Sequence, residues 1–399
     1  MTYQVPIRFR RSLQQLVNTG RVGYVWMYNA ILCPIIEPSK GSLMRDERAF
    51  GALVFVVSMT LFLLAGISGC DSIDHADRDA KNTFIKVNGQ TMGTTYSIQV
   101  DRLPQGMNFT ELLTELEMRL QSFTQLYSTY EKDSLINDFN QSKELGWFNV
   151  PIGFVDQVST ANRISQASAG AFDITVQPLV QLWGFGPTIV THKPDADKIQ
   201  AVLKNTGYEY LEVREKPPAI RKTKPQLQID LSSIAKGTAI DELADWLNSM
   251  QIENWLIEIG GELRAKGFNQ DKSAWQIGIQ RPNSERLEAE IVLPLTNEAV
   301  ATSGDYENYF VEDGIRYSHL INPVTGYPVT HQTTSVSVIA KTTAIADAWA
   351  TTLLIMGKDA GMILATEESL AAIFIERIDD RFQITATPTL QLQKTLSFD

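Results

Sequence analysis

Asp347 and Thr351 stand four residues apart in 346–351 (ADAWAT), within a stretch that predicts a helix. That spacing puts a carboxylate and a hydroxyl on one helix face. Both are hard oxygen donors, suited to a magnesium ion whose other positions go to water and phosphate oxygens. The pair also fits an Asp stabilised by the dipole at a helix start with a Thr packed inside, so spacing alone leaves both readings open. Further segments set glycine beside polar residues, where a backbone can approach a ligand closely. They are 91–96 (TMGTTY), 170–175 (GAFDIT), 230–237 (DLSSIAKG), 258–264 (EIGGELR), 302–306 (TSGDY) and 318–323 (SHLINP) with 325–328 (TGYP), and beside them stands the polar, glycine-free 128–130 (STY).

Several familiar chemistries are excluded. Ala235-Lys236-Gly237-Thr238 has the wrong order for a P-loop, and no H-E-x-x-H or G-x-S-x-G occurs. Gly184-Phe185-Gly186 lacks the third glycine and the preceding strand of a dinucleotide fingerprint. The four histidines, His75, His192, His319 and His331, lack zinc spacing. A formal net charge of −11 argues against nucleic acid as a partner, because phosphate binding wants a basic surface. With 44% hydrophobic and 20% charged residues in 399, the chain has a globular composition, and Cys33 with Cys70 is too little for a disulfide framework.

The elements that must position these residues are readable from pattern. The segment 84–100 predicts a strand pair, with Asn88-Gly89 as the turn signal. Asn108 and Glu111 have capping-box spacing, and Phe109, Leu112, Leu113, Leu116, Leu120 and Phe123 follow on one helical face. Further helices are predicted over 155–167 with a stop at Gly170, from Pro194 to a stop at Gly207, from Ser232 through Ile240, Leu243, Leu247 and Met250, and over 344–356 with a stop at Gly357. Short apolar runs at 254–259, 262–266, 275–280, 287–293, 315–321, 334–340, 371–376 and 381–386 predict strands of a largely antiparallel sheet. The expected class is α+β, a single compact domain over 83–399 with helices flanking the sheet.

Taken together, the polar-glycine segments resemble the ApbE family, the FAD:protein FMN transferases of bacterial envelopes, from about Thr91 to about Gly357. The resemblance implies FAD as substrate, Mg²⁺ as metal and transfer of the FMN half to a threonine hydroxyl of a target protein. The product is a phosphoester, and AMP is released. It implies metal ligands at Asp347, Thr351 and Ser233. FAD contacts are implied at Met92, Tyr130, Ala171, Phe172, Asp173, Asp230, Lys236, Gly260, Gly261 and Leu320, with Tyr130 and Phe172 as flat rings that stack. His319 is implied as the general base that takes the hydroxyl proton, a role suited to a group titrating near neutral pH. Relatives commonly carry Asp where this chain has Asn322. Targets implied are subunits of membrane redox pumps such as sodium-translocating NADH:quinone reductase and Rnf-type complexes. Two other activities fit the same residues: hydrolysis of FAD to FMN and AMP, and non-catalytic flavin binding by a lipoprotein.

The N-terminus carries an address. The uncharged run 49–69 ends in small residues before Cys70, as in a cleavable signal, although a retained membrane helix fits its length too. Ile67-Ser68-Gly69-Cys70 resembles a lipobox, which implies lipidation of Cys70, and Asp71 resembles a signal for retention at the inner membrane. Several acyl chains hold a protein on a membrane stably. The expected organisation is an extension and signal peptide over 1–69 with the start at Met44, a polar tether over 70–82 (Cys70 followed by DSIDHADRDAKN), and the domain over 83–399. The expected location is the periplasmic side of the inner membrane. Seven of the 35 basic and three of the 46 acidic residues lie in 1–69, so the part from Cys70 has a net charge of −15.

Overall fold

The structure is a computed structural model that describes residues 84–187, 192–282, 289–305, 308–379, 381–393 and 397–398. The chain parts into two units, Met1–Asp79 and Ala80–Asp399, and every described residue belongs to the second. The signal run, Cys70 and the tether lie outside the described residues.

In chain order the elements are β1 (Ile85–Thr91), β2 (Thr94–Val100), α1 (Phe109–Tyr127), α2 (Leu135–Gln141), β3 (Phe148–Asn149), α3 (Ile152–Ala167), α4 (Gln177–Leu182), α5 (Ala196–Leu203), β4 (Leu211–Arg214), β5 (Ala219–Lys222), α6 (Ser232–Ser249), β6 (Trp255–Ile259) and β7 (Glu262–Lys266). There follow β8 (Trp275–Gln280), β9 (Ala289–Leu295), β10 (Ala299–Gly304), β11 (Tyr309–Glu312), β12 (Ile315–Ser318), β13 (Thr333–Ala340), α7 (Thr343–Glu367), β14 (Ala371–Ile378), β15 (Arg381–Ala386), α8 (Pro388–Gln393) and β16 (Ser397–Phe398).

The mixed α/β class and the antiparallel pairing hold. An eight-stranded antiparallel sheet runs β1-β2-β6-β7-β10-β13-β14-β15. The strands nevertheless divide among four sheets. β8 and β9 join β16 in a second sheet, β11 and β12 form a hairpin of their own, and β3, β4 and β5 make a small third group. The main sheet is covered on both faces. Ile257, Val336, Val338 and Phe374 face the helices, where Leu116, Leu243, Leu247 and Leu353 meet them. Leu263, Val300, Ile339 and Ile373 face the second sheet and its Trp275, Ile277, Ile291 and Leu293. A strand buried on both faces has no polar alternation, which explains the continuous apolar start of β14 (AAIFI).

Two expectations about the local chain are corrected. Asn88-Gly89 is no turn: it lies inside β1, opposite Ser97 and Tyr96. A Cβ on Gly89 would fall 2.4 Å from the Tyr96 ring, so the glycine makes room for an aromatic across the ladder. The turn is Met92-Gly93, both with positive φ (46° and 74°), the backbone a two-residue hairpin requires. The helix after Thr343 does stop being regular at Gly357, where φ is 73° and ψ is 169°, but helix resumes beyond the break to Glu367. By contrast the capping box of α1 forms as read: Asn108 Oδ1 accepts from Glu111 N at 3.1 Å and Glu111 Oε2 accepts from Asn108 N at 2.8 Å. Among the described residues no helix is long and apolar enough to cross a membrane.

Candidate active site

Two helices cross at the centre of the site. A Cβ on Gly237 of α6 would lie 2.5 Å from the carbonyl oxygen of Thr343 in α7, so only glycine permits the approach. Through that gap Gly237 N–H donates to Asp347 Oδ2 at 3.1 Å. One turn along α6, Asp241 caps the start of α7, accepting from Thr343 N and Ala344 N at 2.9 Å each and from Arg264 Nη1 at 2.9 Å. A carboxylate here satisfies amides that an α-helix leaves without intrahelical partners. The helices therefore run antiparallel, Asp241 level with Thr343 and Gly237 level with Asp347. Thr351 Oγ1 shares a 3.1 Å hydrogen bond with Ser303 Oγ, which delivers the tip of β10 to the same place.

Lys236 extends the cluster. Its Nζ lies 2.6 Å from Glu262 Oε1, a carboxylate side chain only 3% exposed. The Gly260-Gly261 turn that precedes Glu262 uses φ of 62° and 102°. A Cβ on Gly260 would meet Thr94 Cγ2 at 2.8 Å and Lys236 Cδ at 3.4 Å, while Gly261 is open and donates its N–H to Glu258 Oε1 at 2.8 Å. The β1–β2 turn, with Met92 packed against the main core, thus abuts the Gly-Gly turn and Lys236. Burial, then the charge of Glu262, pushes the Asp347 carboxyl well above the ordinary carboxylate range, against the pull of Lys236 and the Gly237 N–H. Burial likewise raises Glu262 and Asp241.

The second half of the site is aromatic. Tyr130 is 65% exposed and its hydroxyl donates to Phe185 O at 3.4 Å. The Phe185 ring stands edge-on to His319, centroids 6.3 Å apart. Behind them Phe310, Tyr317 and Tyr327 pack around buried Trp183. His319 follows β12 directly, and its Nδ1 sits 3.0 Å from the Asn308 carbonyl, which also accepts from its backbone N–H at 3.0 Å. A carbonyl only accepts, so in the neutral ring Nδ1 carries the hydrogen and Nε2 the lone pair. Asn322 Oδ1 accepts from Val324 N and Thr325 N at 2.9 and 3.2 Å, holding the next turn. Leu320 is buried and its carbonyl accepts from Val329 N at 3.0 Å.

The segment before α6 joins the halves. Asp230 accepts from Ser232 N at 2.8 Å and from the Ser232 hydroxyl, and its own N–H donates to Ile174 O at 2.7 Å. Burial pushes the Asp230 carboxyl up, and burial followed by the Asp230 charge pushes the Tyr130 phenol up, which puts the two in electrostatic reach. In 171–173 the side chains turn inward. Phe172 is one of the largest fully buried residues, Ala171 is buried, and Asp173 accepts from Thr175 N and Oγ1 at 2.7 Å and from Tyr208 N at 2.8 Å. The ring of Phe172 fills the core here.

The structure therefore brings Asp347, Lys236, Gly260 and the Met92-Gly93 turn around the helix crossing, with Thr351 one helical turn from Asp347, and sets Tyr130 and His319 against Phe185, with Asp230 in electrostatic reach of Tyr130. The sequence reading missed Asp241, Glu262, Ser303 and Phe185. Asp241 was available as the next residue in the four-spaced series Ser233, Gly237, Asp241, the counterpart of Thr343, Asp347, Thr351; the other three depend on tertiary contacts. Among the described residues no three His, Cys, Asp or Glu side chains cluster as a metal site.

The ApbE family model matches residues 92–374. The chain is 39% identical over 311 residues to the FAD:protein FMN transferase of Vibrio cholerae, covering 77% of this chain and 92% of that protein. The solved flavin transferase ApbE of Vibrio cholerae superposes with a TM-score of 0.72 at 38% identity, covering 78% of this chain and 99% of the other. The Pseudomonas stutzeri flavinyl transferase ApbE, apo form, does so with a TM-score of 0.72 at 35% identity, covering 78% and 96%. The chain belongs to the ApbE family.

Proposed function

We infer that the chain is an FAD:protein FMN transferase, taking FAD as substrate and leaving its FMN half on a target protein. The observation that carries this is the 39% identity across 92% of a named FMN transferase. The contacts that link 91–96, 230–237, 258–264, 302–306 and 346–351 support it.

In the finer reading the acceptor is a threonine hydroxyl. Its oxygen attacks the phosphorus on the flavin side of the diphosphate, the bridging P–O bond breaks, AMP leaves, and a phosphoester forms. His319 Nε2 takes the hydroxyl proton, with Nδ1 held by the Asn308 carbonyl so that the ring keeps its orientation. Lys236 and the backbone around Gly260 line the diphosphate side. Tyr130 and Phe185 present rings to the flavin.

The residues present fit a magnesium ion. Asp347, Thr351 and Ser233 would hold it; all offer oxygen, and a buried carboxylate crowded by a second one is stabilised by a divalent charge. When bound, Mg²⁺ offsets negative charge on the diphosphate and the departing AMP. The protein's own part is to hold those oxygens on two locked helices.

We further propose that Cys70 is lipidated and that the domain works on the periplasmic face of the inner membrane. Its targets would be redox-pump subunits of the sodium-translocating NADH:quinone reductase or Rnf type. The lipobox-like 67–70 and the polar tether support this.

The test is to mix purified protein, FAD, Mg²⁺ and such a subunit, then read covalent flavin fluorescence and the mass of the modified peptide. A flavinylated threonine is expected. Free FMN without labelling would instead assign FAD hydrolysis, and unchanged bound FAD a carrier role.

A further inference from the structure

Glu262 belongs to no part of the machinery described so far except as the partner of Lys236. Three observations make it more. Its side chain is 3% exposed, and while Oε1 is engaged by Lys236 at 2.6 Å, the buried Oε2 has no hydrogen-bond partner among the described residues. It follows the Gly260-Gly261 turn, so the backbone that admits a ligand also aims this carboxylate. Lys236 is chain neighbour to Gly237, whose N–H holds Asp347, so both carboxylates address one locus.

A buried oxygen without a partner, next to a second buried carboxylate, is unfavourable unless something positive comes to it. Asp241 is paired with Arg264, and Lys236 is paired with Oε1 of Glu262 and not with Oε2. We propose that Glu262 is a further ligand of the divalent-cation site, offering Oε2 to the cation that Asp347 and Thr351 hold while Lys236 steadies Oε1. The proposal rests on the reading of Asp347 and Thr351 as cation ligands.

The test is Mn²⁺ binding to the purified chain in the absence of FAD, measured by the loss of the free-ion signal in electron paramagnetic resonance and repeated with Mg²⁺ by calorimetry. Glu262→Gln is expected to weaken binding at least tenfold, and Asp347→Ala to abolish it. Because Glu262→Gln leaves Lys236 without its ion-pair partner, the double variant Glu262→Gln with Lys236→Met serves as the fold-preserving check. It too loses at least tenfold if Glu262 is a ligand. Affinity within twofold of the parent in either Glu262 variant, with Asp347→Ala still deficient, overturns the role of Glu262 alone. Undiminished binding by Asp347→Ala, or none by the parent chain, overturns it together with the cation reading beneath it.

Discussion

The helix crossing at Gly237 and Asp347 and the aromatic wall at Tyr130, Phe185 and His319 are held by different means. The crossing is made of backbone contacts between two long helices packed on the central sheet, and its groups are buried and joined by hydrogen bonds of about 3 Å. The wall is carried by loops and a two-stranded hairpin outside the main sheet, and its outermost ring, Tyr130, is mostly in solvent. A group that must meet a small charged centre gains from a rigid support, whereas rings that admit and release a large planar substrate gain from a pliable one. In this molecule stability and chemistry are thus coupled at the crossing and separable at the wall.

The largest effect that would break this contrast lies at the crossing. Asp347→Ala is expected to lower transfer by about 10³-fold or more, as for loss of a metal and its charge stabilisation. Titrating Mg²⁺ against initial rate checks it, and unchanged activity at low Mg²⁺ contradicts it. At the wall, His319→Ala should slow transfer by roughly 10²–10⁴-fold, the usual share of a general base, while FAD binding and unfolding temperature stay near those of the parent. Weakened binding at normal turnover would instead make His319 structural.

Gly237→Ala sharpens the coupling. The added methyl meets Thr343 backbone at 2.5 Å, neither helix can yield without repacking, and a destabilisation of about 1–3 kcal/mol is expected by denaturant unfolding, with loss of activity alongside. A stable but inactive variant would show the two to be separable after all.

A fourth prediction concerns pH. Burial pushes the Asp173 carboxyl up to about 6, against hydrogen bonds from Thr175 and Tyr208. A folded-state value above that of the unfolded chain means the fold favours the protonated form. The contribution is therefore fully present below about pH 4 and lost as pH rises through about 6, to the extent of roughly 2–3 kcal/mol. The difference in unfolding free energy between the parent and Asp173→Asn should fall across that interval and level off above pH 7; a difference independent of pH would refute it. Smallest of all, Tyr130→Phe removes a 3.4 Å hydrogen bond at an exposed position and should change stability by no more than about 0.5 kcal/mol.

The same contrast explains what could be read from the sequence. The four-residue spacing within α7 put Asp347 and Thr351 on one face, because helical spacing alone fixes which side chains share a face, while their role as ligands came from the family resemblance. The capping box of α1 was legible for a similar local reason. Where position depends on what lies across a sheet or from another segment, the text was silent or misleading. Asn88-Gly89 has the composition of a turn, yet the ring of Tyr96 claims that glycine. β10 (AVATSG) shows no alternation because its first half is buried on both sides, so it was not read as a strand, although it carries Ser303 to Thr351. Phe172 looked like a stacking ring and is core. Glu262 and Phe185 gained their places only through partners distant in sequence.

The central claim is that the diphosphate of FAD is cut so that the flavin-side phosphorus moves to a protein hydroxyl. FAD carrying one phosphorus label on the flavin side, and a separate preparation labelled on the adenylate side, incubated with this protein and a target subunit, test it directly. The flavin-side label should become covalently fixed to the target with the adenylate-side label recovered in AMP. Adenylate-side label on the target, or flavin-side label found only in free FMN, would contradict it.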